Sequence, residues 1–449
     1  MTSIFFRYRK IVSFFILSIT LLLVIIMATI SLIYIRTPRH LFSIDIFTIG
    51  IIGWLTVSCA TLYLSLKYIK ECLLVFIVFF TLGFSTKAYL EPISDQLDHL
   101  HKTYEICDNI DYGVRLNSGL WQYSMNSIFL CRIKQTNSTP LEVFYLIDSL
   151  HGLYFGLGAI ILFLTGRIAG MPSKWSFFAA CMAFLFMGTS KFSYFRYYSY
   201  APSFTSILLY WLWIGFFFFK KSSNQIILGT ISAIILIIII SVNHMQEAVF
   251  LAFLLLFWIL LNTSEWIASW TKSKIILPMW FIILFIIFFI FPQFNAFESL
   301  LNHPFVLNHF YKPDLWTTNQ EVIFRWHDIY LIGRIWDPKY RVVETIGLLG
   351  LVSLIISPFL LCWNQQDFPV STRIRIVLLG ILPFLIFCIP LCHYIWVANV
   401  KIPVYYRIAY SSLFWCTIAF FLTMVESWTR AYCKSITNKK WPTTSRKQF

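Results

Sequence analysis

The chain has 449 residues, 59% of them hydrophobic and only 12% charged, with a mean hydropathy of +0.74. A soluble domain carries roughly 25% charge, so about half the groups needed to solvate a globular surface are missing. Apolar runs long enough to cross a bilayer recur along the chain, which excludes a soluble enzyme, a fibrous protein and a disordered chain. An all-α polytopic membrane protein remains.

The chain opens with Arg7, Arg9 and Lys10 before an apolar run at 11–35. That run exceeds the roughly 7–15-residue core of a cleaved signal, so it is expected to persist as a first span. Further spans are expected near 42–66, 71–90, 142–165, 175–195, 201–219, 226–242, 246–261, 275–291, 343–362, 376–396 and 404–424, about twelve in all. The pair 226–242 and 246–261 is one long apolar stretch broken at Asn243-His244-Met245-Gln246-Glu247, which reads as a polar hairpin. Between spans lie two large outer loops, 91–141 and 292–342, whose length marks them as functional and which are expected to hold short amphipathic helices. No internal repeat is evident, so residues 1–449 form a single transmembrane domain.

The net charge of +15 has a topological meaning. With the N-terminus inside, cytoplasmic segments hold 19 basic and four acidic residues, and outer segments hold 16 of each. The whole excess lies on one side, so the positive-inside rule places both termini in the cytoplasm. The basic residues are spread thinly and no nucleic-acid motif accompanies them. Nucleic acid is therefore no partner. The inner loops carry little beyond topogenic Lys and Arg, Arg373 and Arg375 among them, and no nucleotide-binding Gly-rich motif. All nine histidines fall toward the outer side, and the chemistry is expected there.

The first outer loop begins Glu91-Pro92-Ile93-Ser94-Asp95-Gln96-Leu97-Asp98-His99. At helical spacing, Ile93, Leu97, Leu100 and Tyr104 make an apolar stripe, opposed by Asp95, Asp98, His99 and Lys102. A helix of this kind lies along the membrane surface, where low dielectric raises a carboxyl pKa and suits it to general-base work. Asp95 and His99, one turn apart, also match the spacing of divalent-cation ligands, and a divalent cation is the one cofactor suggested. The plain structural alternative is a solvated polar face.

Glu247 and His244 sit between two strongly apolar segments, where burial is expensive and ionisable groups are functional candidates. A self-wetting hairpin tip is the equal alternative. Arg196, Arg325 and Arg407 offer forks for phosphate oxygens. Aromatics beside Arg196 and Arg407 also fit an ordinary interfacial belt. Cys107 and Cys131 share the first outer loop and would form a disulfide in an oxidising compartment.

The layout resembles the GT-C class of polytopic membrane glycosyltransferases. The resemblance rests on Glu91, Asp95 and Asp98 after a span, on the two large outer loops and on the lack of cytoplasmic chemistry. Members of that class carry the acidic loop after the first span, whereas here it follows the third. The resemblance implies a polyprenyl-phosphate (lipid-phosphate-linked) sugar donor and transfer to a glycan, lipid or protein acceptor at the outer face. Asp95 or Asp98 would then be the base, with Glu91 beside them, and outer arginines would hold the donor phosphate. It also implies location in the cell envelope, as an integral multi-pass protein of the bacterial inner (plasma) membrane in contact with membrane lipids. Two alternatives stand beside it: a lipid-linked polysaccharide polymerase or ligase, and, from another class, a secondary transporter.

Overall fold

The computed structural model describes residues 2–36, 46–87, 140–185, 204–219, 223–243, 245–271, 342–362, 368–388 and 413–438. No strand occurs among the described residues, of which 94% are helical. A membrane interior offers no water to backbone N–H and C=O groups, so an apolar chain satisfies them within helices. In chain order the helices are α1 (Thr2–Arg36), α2 (Ile46–Ser65), α3 (Ile69–Lys87), α4 (Pro140–Ile168) and α5 (Ser173–Leu185). Next comes α6 (Phe204–Trp213), which runs into a π-helical turn at Ile214–Phe218. Then follow α7 (Ser223–Asn243), α8 (Met245–Thr271), α9 (Val342–Cys362), α10 (Val370–Cys388) and α11 (Phe414–Asn438).

Four stretches among the described residues are long and apolar enough to cross a membrane: Ile11–Ile30, Ser149–Ile168, Asn224–Ser241 and Glu247–Glu265. Shorter apolar stretches fill Ile51–Ser65, Thr205–Phe218 and Gly350–Cys362. The break expected at 243–247 falls where α7 ends and α8 begins. In contrast, α11 starts at Phe414 and runs on to Asn438, well past the span end expected at 424. Neither Gly nor Pro interrupts 424–438, so the helix continues although its outward residues turn polar. The expected span 275–291, and residues 91–139 and 292–341 of the two large loops, lie outside the described residues.

Helix α4 is the axis of the bundle. Its spanning window is 89% buried, against 11% for that of α1. Helices α2, α3, α5 and α6 all pack on α4, and the α3–α4 pairing is the most extensive of the described fold. The cause is legible in α4 itself, where Gly152-Leu153-Tyr154-Phe155-Gly156 presents two small residues one turn apart. A Cβ at Gly152 would stand 3.0 Å from the carbonyl oxygen of Phe80, and one at Gly156 only 2.7 Å from the Phe76 ring. Gly83 on α3 reciprocates, since its Cβ would stand 3.1 Å from the Gly152 Cα. Between helices in lipid, close backbone approach and dispersion drive association, and small residues allow both. Gly152→Leu should therefore force the two backbones apart, lowering stability by about 1–3 kcal/mol or more. Detergent-titrated unfolding checks it, and an unchanged midpoint would contradict the close packing.

The outer helices turn apolar faces away from the bundle. Ile227, Leu228, Ile231 and Ile234 on α7, and Leu73, Leu74, Ile77 and Val78 on α3, are exposed at helical spacing. Continuous faces of this size are not left in water by a soluble monomer and mark contact with lipid.

Contacts between helix ends sort into two groups. At one end, Lys174 meets Glu426 at 2.6 Å, Arg375 meets Glu265 at 3.3 Å, and Arg167 lies 4.8 Å above the Tyr68 ring. At the other, His151 Nδ1 and the Gly83 carbonyl oxygen are 2.8 Å apart. The ends that the charge asymmetry assigns to a common side are thus neighbours in the fold.

Candidate functional site

Of the residues singled out in the sequence, Glu91, Asp95, Asp98, His99, Arg196, His244, Arg325 and Arg407 lie outside the described residues, as do Cys107 and Cys131. Glu247 lies within them. It occupies the first turn of α8 and is only 2% exposed. A helix N-terminus carries partial positive charge, so a carboxylate is favoured there even away from water. Tyr210 of α6 is buried as well. Next along α6, Trp211 stacks on Tyr154 of α4, ring centroids 6.5 Å apart, and Phe184 of α5 meets both edge-on at 6.1 Å. One turn before Phe155, His151 is fully buried, its ring 4.5 Å from that of Phe155. A carboxylate, a phenol and an imidazole thus lie buried in the half of the bundle nearer the His151–Gly83 end. Glu247 is therefore buried rather than solvated at a hairpin tip.

The opposite end holds a polar centre that sequence reasoning did not single out. Arg375, on α10, is fully buried. Its guanidinium donates to the Phe218 carbonyl, to Asn262 Oδ1 at 2.8 Å and to Glu265 Oε1 at 3.3 Å. The Trp258 indole N–H donates to the same carbonyl at 3.2 Å. Phe218 closes the π-helical turn, and the last carbonyls of a helix have no partner within it. Two residues earlier, Arg373 donates to the carbonyls of Leu360 and Leu361, the end of α9, at 3.1 and 3.2 Å. Arg167 donates to the carbonyl of Met171, just past the end of α4, at 2.7 Å.

This corrects the expectation for Arg373 and Arg375. They are not solvated loop charges but buried caps on the C-termini of two helical elements, α9 and the π-helical turn. The physical reason is that those termini end inside the bundle, where only a side-chain donor satisfies the carbonyls, and their negative dipole ends favour a cation. The available signal was the pairing of Arg-Ile-Arg at 373–375 with Asn262 and Glu265, which follow a long apolar run in the second half of α8.

A third cluster lies nearby at the surface. Glu426 of α11 accepts from Lys174 Nζ and Trp175 Nε1, each at 2.6 Å, and also from Arg430. These hydrogen bonds, with Lys174 first, hold its carboxyl at about 2, below the ordinary 4.5. A depressed carboxyl contributes stability above its ordinary pKa and loses that contribution as pH falls toward the folded value. The thermal midpoint should therefore drop more steeply between pH ~5 and ~2 in the wild type than in Glu426→Gln. Parallel slopes in a detergent melting series would contradict the pairing.

Among the described residues, no three His, Cys, Asp or Glu side chains gather to hold a metal ion. The proposed cation ligands Asp95 and His99 lie outside them. No protein-family model matches the chain, and no curated protein or solved structure matches it significantly. The class defined so far is that of a helical membrane protein with an ionisable group buried among its helices.

Proposed function

We propose that the chain is a membrane glycosyltransferase of the GT-C type, transferring sugar from a polyprenyl-phosphate donor to an acceptor at the outer face. In this reading both termini, the Lys174–Glu426 cluster and the Arg375 centre face the cytoplasm of a bacterial cell, and the Glu247 end faces outward. The observation that carries it is the burial of Glu247, since an ionisable group held among membrane helices is expensive to keep and, unlike the arginines that cap helix ends, Glu247 has no carbonyl to cap. Asp95 or Asp98 serves as the base for the acceptor hydroxyl, with Glu91 adjoining. Glu247, His244 and His99 contact substrate, and Arg196, Arg325 and Arg407 neutralise the leaving lipid phosphate. A divalent cation held by Asp95 and His99 would share that last task. A polymerase or ligase of lipid-linked polysaccharide would use the same donor chemistry.

The decisive experiment is mass spectrometry of lipid retained by the purified protein. A polyprenyl phosphate or its glycosylated form is expected, and its absence from gently extracted protein would count against the reading. The same buried carboxylate supports a second reading, an ion-coupled secondary transporter, because such groups carry coupling ions near the membrane interior. Substrate counterflow in proteoliposomes, abolished by Glu247→Gln and without covalent product, would select that one.

A further inference from the structure

Helices α9, α10 and α11 form a unit of their own within the described fold. They pack on one another, and the N–H of Leu413, just before α11, donates to the Leu379 carbonyl of α10 at 3.2 Å. A Cβ at Gly380 of α10 would collide with Thr417 Oγ1 of α11, and Arg373 ties α10 to the last carbonyls of α9. Among the described residues this unit meets the other helices chiefly at two places. Its α11 lies along α5 in a broad contact, fastened at Glu426 by Lys174 and Trp175. The contact of α10 with α8 is narrow. Arg375 spans it, reaching Asn262 Oδ1 at 2.8 Å, Glu265 Oε1 at 3.3 Å and the Phe218 carbonyl beside them.

The two attachments differ physically. A contact closed by apolar side chains gains nothing when it opens to water. A contact closed by charges regains their hydration, so its closed and open forms lie closer in free energy. Arg375 is fully buried, while Glu265 keeps 20% of its side chain exposed, so water already reaches one partner. The far side of this seam is tied together without the arginine. The Trp258 indole of α8 donates to the same Phe218 carbonyl at 3.2 Å, and that of Trp213 on α6 donates to the Gly229 carbonyl of α7 at 3.0 Å. Two internally tied bodies, joined by one broad and one narrow polar contact, have the form of a hinge with a catch. We propose that Arg375, with Asn262 and Glu265, is the latch of a conformational switch. Helices α9–α11 swing as one body about the α5–α11 contact, and the seam between α8 and α10 opens and closes at Arg375. The moving seam borders α8, the helix that carries Glu247 in its first turn. The inference rests on neither the transferase nor the transporter reading.

The test measures distances between paired spin labels on the full chain in lipid nanodiscs. One pair crosses the seam: Thr263→Cys, at an exposed position of α8, with the native Cys362 at the exposed end of α9. The other pair, the native Cys362 and Cys433, lies within the three-helix unit, and both are exposed. In each case the remaining cysteines are replaced by serine. The wild type is expected to show one dominant distance across the seam and a minor, longer one. R375Q should raise the share of the longer distance about tenfold or more, the effect on an equilibrium of losing hydrogen bonds to a charged group. E265Q leaves the guanidinium two acceptors and should raise it less; this milder variant decides the matter where R375Q does not fold. E426Q weakens only the broad contact and should leave the seam distances as in the wild type. The Cys362–Cys433 distance should be the same throughout. Seam distances unchanged in E265Q and in folded R375Q would overturn the proposal. So would a parallel change between Cys362 and Cys433, which would mean loss of packing inside the unit rather than a swing.

Discussion

Replacing Arg375 with alanine is expected to cost about 3–5 kcal/mol of stability, the range for breaking a buried ion pair from one side. The side chain is fully buried and serves three acceptors on two elements: the Phe218 carbonyl, Asn262 and Glu265. Without it the carbonyl loses one of two donors, the Trp258 indole being the other among the described residues, and the two side chains lose their shared donor. Glu265 retains 20% of its side-chain exposure and can rehydrate, so the lower part of that range is expected. Arg375→Lys keeps the charge but replaces a planar fork with a single ammonium, which cannot span all three acceptors. It should fall between alanine and wild type. Arg375→Ala combined with Glu265→Gln isolates the coupling between the two side chains, and a loss smaller than the sum of the single losses is expected. Chemical unfolding in mixed micelles measures each corner of this cycle. An alanine variant as stable as wild type would show that the π-helical turn needs no cap.

Asp98→Asn is expected to lower sugar transfer by about 10²–10⁴, the usual contribution of a general base, while leaving the protein folded. The amide keeps the size and most of the hydrogen bonding of the carboxylate but accepts no proton. If Asp95 is the base, Asp95→Asn shows that loss instead, and the Asp98 variant keeps its rate. Glu247→Gln should act differently, since Glu247 is assigned to substrate contact: its effect should fall mainly on KM. Transfer assayed with purified protein and a polyprenyl-phosphate-linked sugar separates these cases, with thermal unfolding as the control for folding. Full activity in both aspartate variants would end the assignment of the first outer loop as the catalytic segment.

The division between what was legible and what was not follows the reach of each interaction. Composition and the apolar runs settle the helical membrane class, because solvent preference acts on each segment separately. The hairpin between α7 and α8 is legible for the same reason: Asn243 to Glu247 is polar, and the stretches on either side are not. The charge asymmetry predicts which helix ends are neighbours, and the pairs Lys174–Glu426 and Arg375–Glu265 agree with it. Glu247 could be singled out by its setting between apolar segments. The catalytic residues proposed in the first outer loop rest on their helical spacing, their place after a span and the resemblance those features carry.

Other features depend on a neighbour remote in sequence, and only the tertiary structure decides those. Gly152 and Gly156 form a small-residue pattern in the sequence, but their partners Phe80 and Phe76 become evident only once α3 lies against α4. Arg373 and Arg375 look like any other inner loop charges until the C-termini of α9 and the π-helical turn arrive beside them. By itself the sequence determined this protein's solvent, its helical class and the sorting of its charges, since these follow from the transfer free energy of each segment. The tertiary structure decided which helix sits at the centre and which charges are buried. Those depend on shape complementarity and on carbonyls left without partners, and neither exists until the helices meet.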